Sequence, residues 1–310
     1  MLKIKELSKK TADKTVVDNF NLFMPATGIS AIVGKEGSGK TSAVRMIAGI
    51  MKKTSGEVLW NDVALEKSDC KLGYLPQICE IYPTADLLSQ LFYFAALKGV
   101  GKAEAKQRIF SLSEEFGILH ILYPEKNAVN SHQSRHSRFE ELDNDEKFKI
   151  LLAVTVLNDP DLIILDEPSA TLSNDGKRFL KNYLKKQVRF GKYIIIATRD
   201  ISFADSVCTD VAVLRKSKTI LSGNLNDLKK SVGKIRLTIE TDSDISDIAE
   251  KFGVEHLGAF ENEYEMILND ENEAENLLIK VIASGITVHR YETRGLALDK
   301  IIRLRCGEEI

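Results

Sequence analysis

The 310-residue sequence has only four cysteines, and Cys70, Cys79, Cys208 and Cys306 form no C-x-x-C pair. That scarcity excludes a disulfide scaffold and leaves reduced thiols as the expectation. No run of 18 apolar residues occurs, so no segment reads as a membrane span, and residues 1–7 hold no uninterrupted apolar stretch of signal-peptide type. The chain is expected to be cytosolic, and any membrane role needs a partner chain. A basic surplus is also lacking: 43 Lys+Arg against 45 Asp+Glu give a net charge of −2. That excludes general nucleic-acid binding, in which Lys and Arg supply the electrostatic affinity. Glycine is missing from one long stretch, since none of the 19 lies between Gly117 and Gly176. Close backbone approach to a ligand, which glycine permits, is therefore not available there.

What is present suffices for sizeable cores, at 44% hydrophobic and 28% charged residues, and the length suits about two domains. Apolar runs rich in β-branched residues alternate with helical patterns, the mark of α/β layering. Strands are expected at 3–7, 29–33, 57–60, 72–74, 162–165, 193–197 and 211–214. The runs 162–165 and 193–197 are nearly all apolar, as in parallel strands buried on both faces. Residues 85–157 change to helical periodicity and read as a helical subdomain inserted into the α/β core. Beyond it the pattern is strand 235–240, helix 245–252, strands 254–260 and 264–268, helix 273–284, strand 286–291 and an amphipathic stretch 298–304. The expected organisation is an α/β domain over 1–230 and a small α+β domain over 231–310 that carries no motif with attached chemistry.

Gly34-Lys-Glu-Gly-Ser-Gly-Lys-Thr41 matches G-x-x-x-x-G-K-[ST] in full, after an apolar strand and before a helical pattern. The fold class that follows is a P-loop NTPase. Gly34, Gly37 and Gly39 let the backbone wrap phosphates, so that Gly34, Lys35, Glu36, Gly37, Ser38, Gly39, Lys40, Thr41 and the following Ser42 form a cradle at a helix N-terminus. Lys40 is placed for the β- and γ-phosphates and the Thr41 hydroxyl for Mg²⁺. A second anchor is Leu162-Ile-Ile-Leu-Asp166-Glu167-Pro168, an acidic pair closing a buried strand. Asp166 suits direct or water-mediated contact with Mg²⁺, and Glu167 suits a general base on the attacking water. The sequence has no Asn-Lys-x-Asp base-reading motif, which disfavours a GTPase. His132 and His136, spaced i,i+4, have no obvious third metal ligand and read as part of a solvated loop.

Together these motifs resemble the ATP-binding subunits of ABC transporters, of the bacterial exporter type with a separate permease. Gly73-Tyr-Leu-Pro-Gln77 is similar to the family's Q-loop, which implies a catalytic and Mg²⁺-sensing role for Gln77 and contact with the permease. The stretches opening at Ile81 and Leu91 resemble the helical subdomain, and the tail ending Leu296-Ala-Leu-Asp-Lys-Ile-Ile-Arg is similar to the small domain such cassettes carry. The resemblance implies ATP and Mg²⁺ as cofactors, a transmembrane permease and a second cassette as partners, and a place on the cytoplasmic membrane face through the permease. It implies transport driven by ATP binding and hydrolysis, in the direction of export, or, as the alternative, a largely non-hydrolysing regulatory subunit of a heteromeric complex.

The chain departs from the family at four places. Where the family has Leu-Ser-Gly-Gly-Gln capping the partner's γ-phosphate, this sequence has Leu142-Asp143-Asn144-Asp145-Glu146. Asp143 and Glu146 fit an N-terminal capping box. They do not fit a phosphate, because each carboxylate at ~4 Å from a phosphate charge costs on the order of 4 kcal/mol at an effective dielectric of 20. The switch histidine is replaced by Arg199, which only donates and stays charged; its alternative is a surface arginine paired with Asp200. Ser173 stands at the D-loop aspartate, and no aromatic for adenine occurs near Thr11. A homodimer would then have two poor hydrolytic sites, whereas in a heterodimer this chain's phosphate loop could meet an intact signature.

Overall fold

The computed structural model describes residues 1–78, 81–82, 85–124, 139–254 and 257–307, so His132 and His136 lie outside the described residues. The chain divides into two compact units, Met1–Ser222 and Gly223–Ile310.

In the first unit, β1 (Leu2–Lys10) and β2 (Thr15–Met24) form an antiparallel hairpin. β3 (Gly28–Val33) leads through the phosphate loop into α1 (Lys40–Ile47). β4 (Ser55–Trp60) and β5 (Val63–Ala64) extend the hairpin on the β1 side, and β6 (Leu72–Leu75) precedes the helical block. That block is α2 (Leu87–Leu97), α3 (Lys102–Glu115), the single turn α4 (Leu119–Leu122) and α5 (Asn144–Val156). The chain then returns to the sheet through β7 (Leu162–Asp166), α6 (Asn174–Arg189), β8 (Tyr193–Thr198), α7 (Ile201–Val207), β9 (Asp210–Arg215) and β10 (Lys218–Asn224). The strand order is β5-β4-β1-β2-β10-β9-β3-β8-β7-β6, antiparallel among β5, β4, β1 and β2 and parallel from β9 through β6.

β3, β7 and β8 are buried along their whole length. Their apolar runs are what a strand covered on both faces requires. On one face, Ala43, Val44, Met46 and Ile47 of α1 join Ile32, Ile164 and Ile195 in a core that continues into the hairpin through Leu7, Val17 and Phe20. Register positions the site: Val33 pairs with Thr198 and Asp166 with Ala197, so β3, β7 and β8 end level. Gly34, Glu167 and Arg199 therefore emerge side by side at the carboxyl edge of the parallel sheet, where such folds hold ligands.

The strand at β2 was not among those expected from the sequence. Asp18, Asn19 and Asn21 interrupt its apolar pattern, and a register shift between Leu7 and Lys9 places the hairpin irregularity opposite residues 17–20. Val17, Phe20, Leu22 and Met24 nevertheless face the core. β10 was missed for a similar reason, since none of its residues is buried.

The second unit opens with α8 (Leu225–Val232) and β11 (Ile235–Thr241), then α9 (Ser246–Phe252), β12 (Leu257–Phe260), β13 (Glu263–Leu268), α10 (Glu271–Ala283), β14 (Val288–Gly295) and α11 (Leu298–Cys306). Its sheet runs β12-β13-β11-β14 with every neighbour antiparallel. With helices after the first and third strands, this is the split βαβ, or ferredoxin-like, arrangement. Alternation sets its core: Leu237, Ile239, Tyr264, Met266 and Leu268 pack with Ala249 of α9 and Leu277 and Val281 of α10. The opposite face is charged, with Arg236 paired to Glu265 and Arg290 to Glu292.

Candidate functional site

Two glycines of the phosphate loop, Gly34 and Gly39, are ones that the surrounding backbone leaves no room to replace. A Cβ at Gly34 would collide with the Leu214 carbonyl oxygen and lie 2.8 Å from Ser38 Oγ. At Gly39, φ is +105° and a Cβ would lie 2.5 Å from the Val16 carbonyl oxygen. Gly37, with φ of +74°, has open space around it and needs glycine for conformation alone. Gly34→Ala is therefore expected to cost about 2–3 kcal/mol through overpacking against backbone. Gly37→Ala is expected to cost about 1–2 kcal/mol through the left-handed conformation. Urea unfolding of the two variants checks that order.

Lys40 opens α1 with its side chain 5% exposed, and its Nζ donates to the carbonyl oxygens of Gly34 (2.6 Å) and Lys35 (2.9 Å). Burial lowers its pKa, opposed by the Glu167 carboxylate 3.8 Å away. The loop thus folds around its own lysine and holds the ammonium at the centre of the cradle. Ser38 Oγ is buried with no hydrogen-bond partner among the described residues.

The Thr41 hydroxyl donates to Asp166 Oδ1 at 3.1 Å. Asp166 is almost fully buried, and its Oδ2 has no hydrogen-bond partner among the described residues. Burial pushes this carboxyl above the usual carboxylate range, with the Thr41 hydrogen bond working against the shift. An orphaned carboxylate oxygen next to a hydroxyl is a hard-oxygen donor set that fits Mg²⁺. Gln77, exposed after β6, lines the same cavity.

Glu167 sits at φ +52°, with its amide donating to the Ala197 carbonyl oxygen at 2.7 Å. Its side chain is 5% exposed and fully engaged. Oε2 accepts from the Arg199 amide (3.0 Å) and the Thr198 hydroxyl (3.3 Å), while Oε1 lies 3.3 Å from Arg199 Nε. Arg199 also reaches Glu36 at 3.3 Å. The charges form a ladder, Lys40–Glu167–Arg199–Glu36, across the mouth of the loop. The alternative pairing of Arg199 with Asp200 is not what occurs. Asp200 turns away to cap α7, accepting from the Phe203 amide at 2.8 Å, and pairs with Lys177 at 2.7 Å. Burial raises the Asp200 pKa, but the hydrogen bonds from Lys177 and Phe203 outweigh it and hold the carboxyl below its ordinary value.

Of the residues expected at the site, Glu36, Gly37, Ser38, Gly39, Lys40, Thr41, Ser42, Gln77, Glu167 and Arg199 line one cavity of about 260 Å³. Gly34 and Lys35 turn their carbonyl oxygens to Lys40, and Asp166 lies behind Thr41. Two further lining residues were not foreseen: Lys14 and Val16 from the β1–β2 hairpin. No local motif marks them, and only recognition of β2 would have brought them to the loop.

The acidic segment is occupied by its own chain. Asp143 accepts from the Glu146 amide (2.8 Å) and Glu146 Oε2 from the Asp143 amide (3.1 Å), a complete capping box on α5. Asp145 bonds elsewhere: Oδ1 accepts from the Ser173 amide at 2.9 Å, and Oδ2 accepts from the Ser173 hydroxyl. Ser173 is in turn the N-cap of α6, accepting from the Gly176 amide at 3.1 Å. Gly176 leaves the space that the Asp145 carboxylate fills, since a Cβ there would collide with Oδ1. Two departures noted separately in the sequence are thus one interlock between the heads of α5 and α6.

Comparison with known proteins agrees with this geometry. A family profile described as ABC transporter matches residues 17–170. A second, described as the ATP-binding protein DrrA1-3-like C-terminal domain, matches residues 223–301. The uncharacterized ABC transporter ATP-binding protein YhaQ of Bacillus subtilis is 30% identical over 246 residues, covering 79% of this chain and 78% of the relative. The Escherichia coli protein named "Probable multidrug ABC transporter ATP-binding protein YbhF" is 26% identical over 233 residues, 74% of this chain and 38% of that protein. Among solved structures, an ATP-binding subunit of an ABC transporter superposes with TM-score 0.64 at 22% identity, covering 75% of this chain and 93% of that one. A dimeric bacterial ABC transporter cassette superposes with TM-score 0.60 at 20% identity, covering 73% of this chain and 99% of that one.

Proposed function

This chain belongs to the ATP-binding proteins of ABC transporters, and from that premise we propose that it binds Mg-ATP at its own phosphate loop but cannot complete a second copy's site. It then works as one half of an unequal pair, beside a cassette with an intact signature and on a separate membrane permease. Export is the direction best supported, because one relative is named as a probable multidrug transporter protein. The observation that carries the reading is a contrast within the chain. The cradle is built for a triphosphate, whereas the head of α5 is closed by the Asp143–Glu146 capping box and the Asp145–Ser173 interlock.

The chemistry follows from groups already in contact. Lys40 and the amides at the head of α1 would take the phosphates, and Thr41, Asp166 and Gln77 would hold Mg²⁺, which supplies charge neutralisation for the phosphates. Glu167 is the candidate base, but its lone pairs are held by Arg199, Thr198 and, more distantly, Lys40. A bound triphosphate competes for both cations. As Lys40 and Arg199 turn to phosphate oxygens, a Glu167 oxygen becomes free to accept a proton from water. The cap over the γ-phosphate must come from the partner, since acidic side chains at that place repel the charge they would face.

Sedimentation of the Glu167→Gln variant with Mg-ATP tests the reading. The variant is expected to bind nucleotide and remain monomeric, and to dimerise only with an intact-signature cassette. Nucleotide-driven self-association of the variant would contradict it.

A further inference from the structure

The outward face of α6 carries charge of one sign. The helix holds six cations, Lys177, Arg178, Lys181, Lys185, Lys186 and Arg189, against the single acid Asp175, in a chain whose net charge is −2. Lys177, Arg178 and Lys186 pair with Asp200, Asp175 and Glu115. Lys181, Lys185 and Arg189 have no ion-pair partner among the described residues; Lys185 and Arg189 are exposed and Lys181 is half-buried. They stand four residues apart, so they stack along one face over about 12 Å. Like charges at that spacing repel and weaken a helix, whereas opposite charges there support it. The dipole at the carboxyl end of the helix favours Arg189, but Lys181 lies too far from that end to gain from it.

Beside the end of this stripe an open groove of about 660 Å³ lies between α3 and α6. Phe190, which follows Arg189 and is 64% exposed, joins Leu112, Val156, Pro160 and Tyr183 as its apolar lining. The charged groups of the groove are engaged within the fold: Arg108 with Glu104, Lys192 with Asp159 and Glu115 with Lys186. One polar group is not. Tyr183 is 4% exposed, and its hydroxyl makes no hydrogen bond among the described residues. Burial, together with the Glu115 and Asp159 charges, pushes its pKa up, so the phenol stays protonated and offers the groove a donor.

We infer that the α6 stripe and this groove together form a docking surface for an acidic segment of another protein, with carboxylates along Lys181, Lys185 and Arg189 and one apolar side chain in the groove. Charge complementarity selects an acidic partner, and the groove selects one that carries an apolar anchor. An extended segment rising roughly 3.3 Å per residue covers the stripe within a few residues, and its backbone carbonyl oxygens can accept from Tyr183. A planar anionic membrane fits worse. Glu104 and Asp159 line the groove with side chains more than half exposed and would repel such a surface, while a narrow segment passes beside them.

Fluorescence anisotropy of the full chain with a labelled peptide of glutamates around one central phenylalanine tests the inference. Binding that weakens as salt rises is expected. The triple variant Lys181→Gln, Lys185→Gln, Arg189→Gln is expected to bind about tenfold more weakly, as loss of three exposed charge contacts does. Its melting temperature should not fall, because these side chains have no ion-pair partner in the fold and repel one another. Phe190→Ala is expected to weaken the phenylalanine peptide by about threefold or more, and to leave unchanged a second peptide with alanine at the centre. No binding of the phenylalanine peptide, equal binding by the parent and the triple variant, or equal effects of Phe190→Ala on the two peptides overturns the inference. Tighter binding of phosphatidylglycerol vesicles or of a single-stranded oligonucleotide than of the peptide overturns it as well, by assigning the face to a different partner.

Discussion

Replacing Lys40 by methionine is expected to weaken Mg-ATP binding about a thousandfold. The ammonium sits at the centre of the loop, held by two loop carbonyl oxygens and near the Glu167 carboxylate. A unit charge at ~4 Å from a phosphate charge contributes on the order of 4 kcal/mol at an effective dielectric of 20, and each 1.4 kcal/mol is a factor of ten. The fold should suffer far less. The ammonium is already desolvated, which lowers its pKa, and methionine fills the same channel without a charge to bury. A melting temperature within a few degrees of the parent, with nucleotide binding lost in calorimetry, is the expected pair of results. Affinity retained within tenfold would remove Lys40 from the site.

Restoring the family's signature is expected to raise ATP turnover by the chain alone at least tenfold. The variant is Asp143→Ser, Asn144→Gly, Asp145→Gly and Glu146→Gln together, which removes three carboxylates and opens the backbone at the head of α5. The interlock gives this prediction a second readout. Asp145 is the acceptor for the Ser173 amide and hydroxyl, so Asp145→Gly alone should destabilise the fold by about 1.5–3 kcal/mol, the range for hydrogen bonds to a charged group. Ser173→Asp in the parent sets one carboxylate against another and should destabilise as well. In the Asp145→Gly background the same change should be nearly neutral, because aspartate caps a helix as well as serine does. A coupling of about 1–2 kcal/mol between the two positions is expected from a double-mutant cycle in urea. Additive effects would mean that the two side chains do not depend on each other.

Much of this site was legible before the fold was known. The phosphate loop and the Asp166–Glu167 pair are local motifs, in which spacing along the chain sets spacing in space. The contacts that give the chain its particular character are not local. Asp145 and Ser173 are 28 residues apart, and nothing in either segment says that one departure from the family accommodates the other. Arg199 was given its neighbour Asp200 as an alternative partner. The backbone instead turns so that Asp200 caps α7, and Arg199 reaches a carboxylate 32 residues away along the chain. Lys14 was invisible for the same reason as β2. Asparagines and an aspartate break the alternation of a strand whose burial is set by its neighbours in the sheet, not by its own periodicity.

The central claim is that one chain holds a competent phosphate loop and lacks the half-site needed to use it on a second copy of itself. The most direct measurement is steady-state ATP turnover by the purified chain alone, beside its Glu167→Gln variant. Turnover at background level, the same in both proteins while both bind Mg-ATP, is the predicted result. Robust turnover by the chain alone that collapses in the Glu167→Gln variant would contradict the claim.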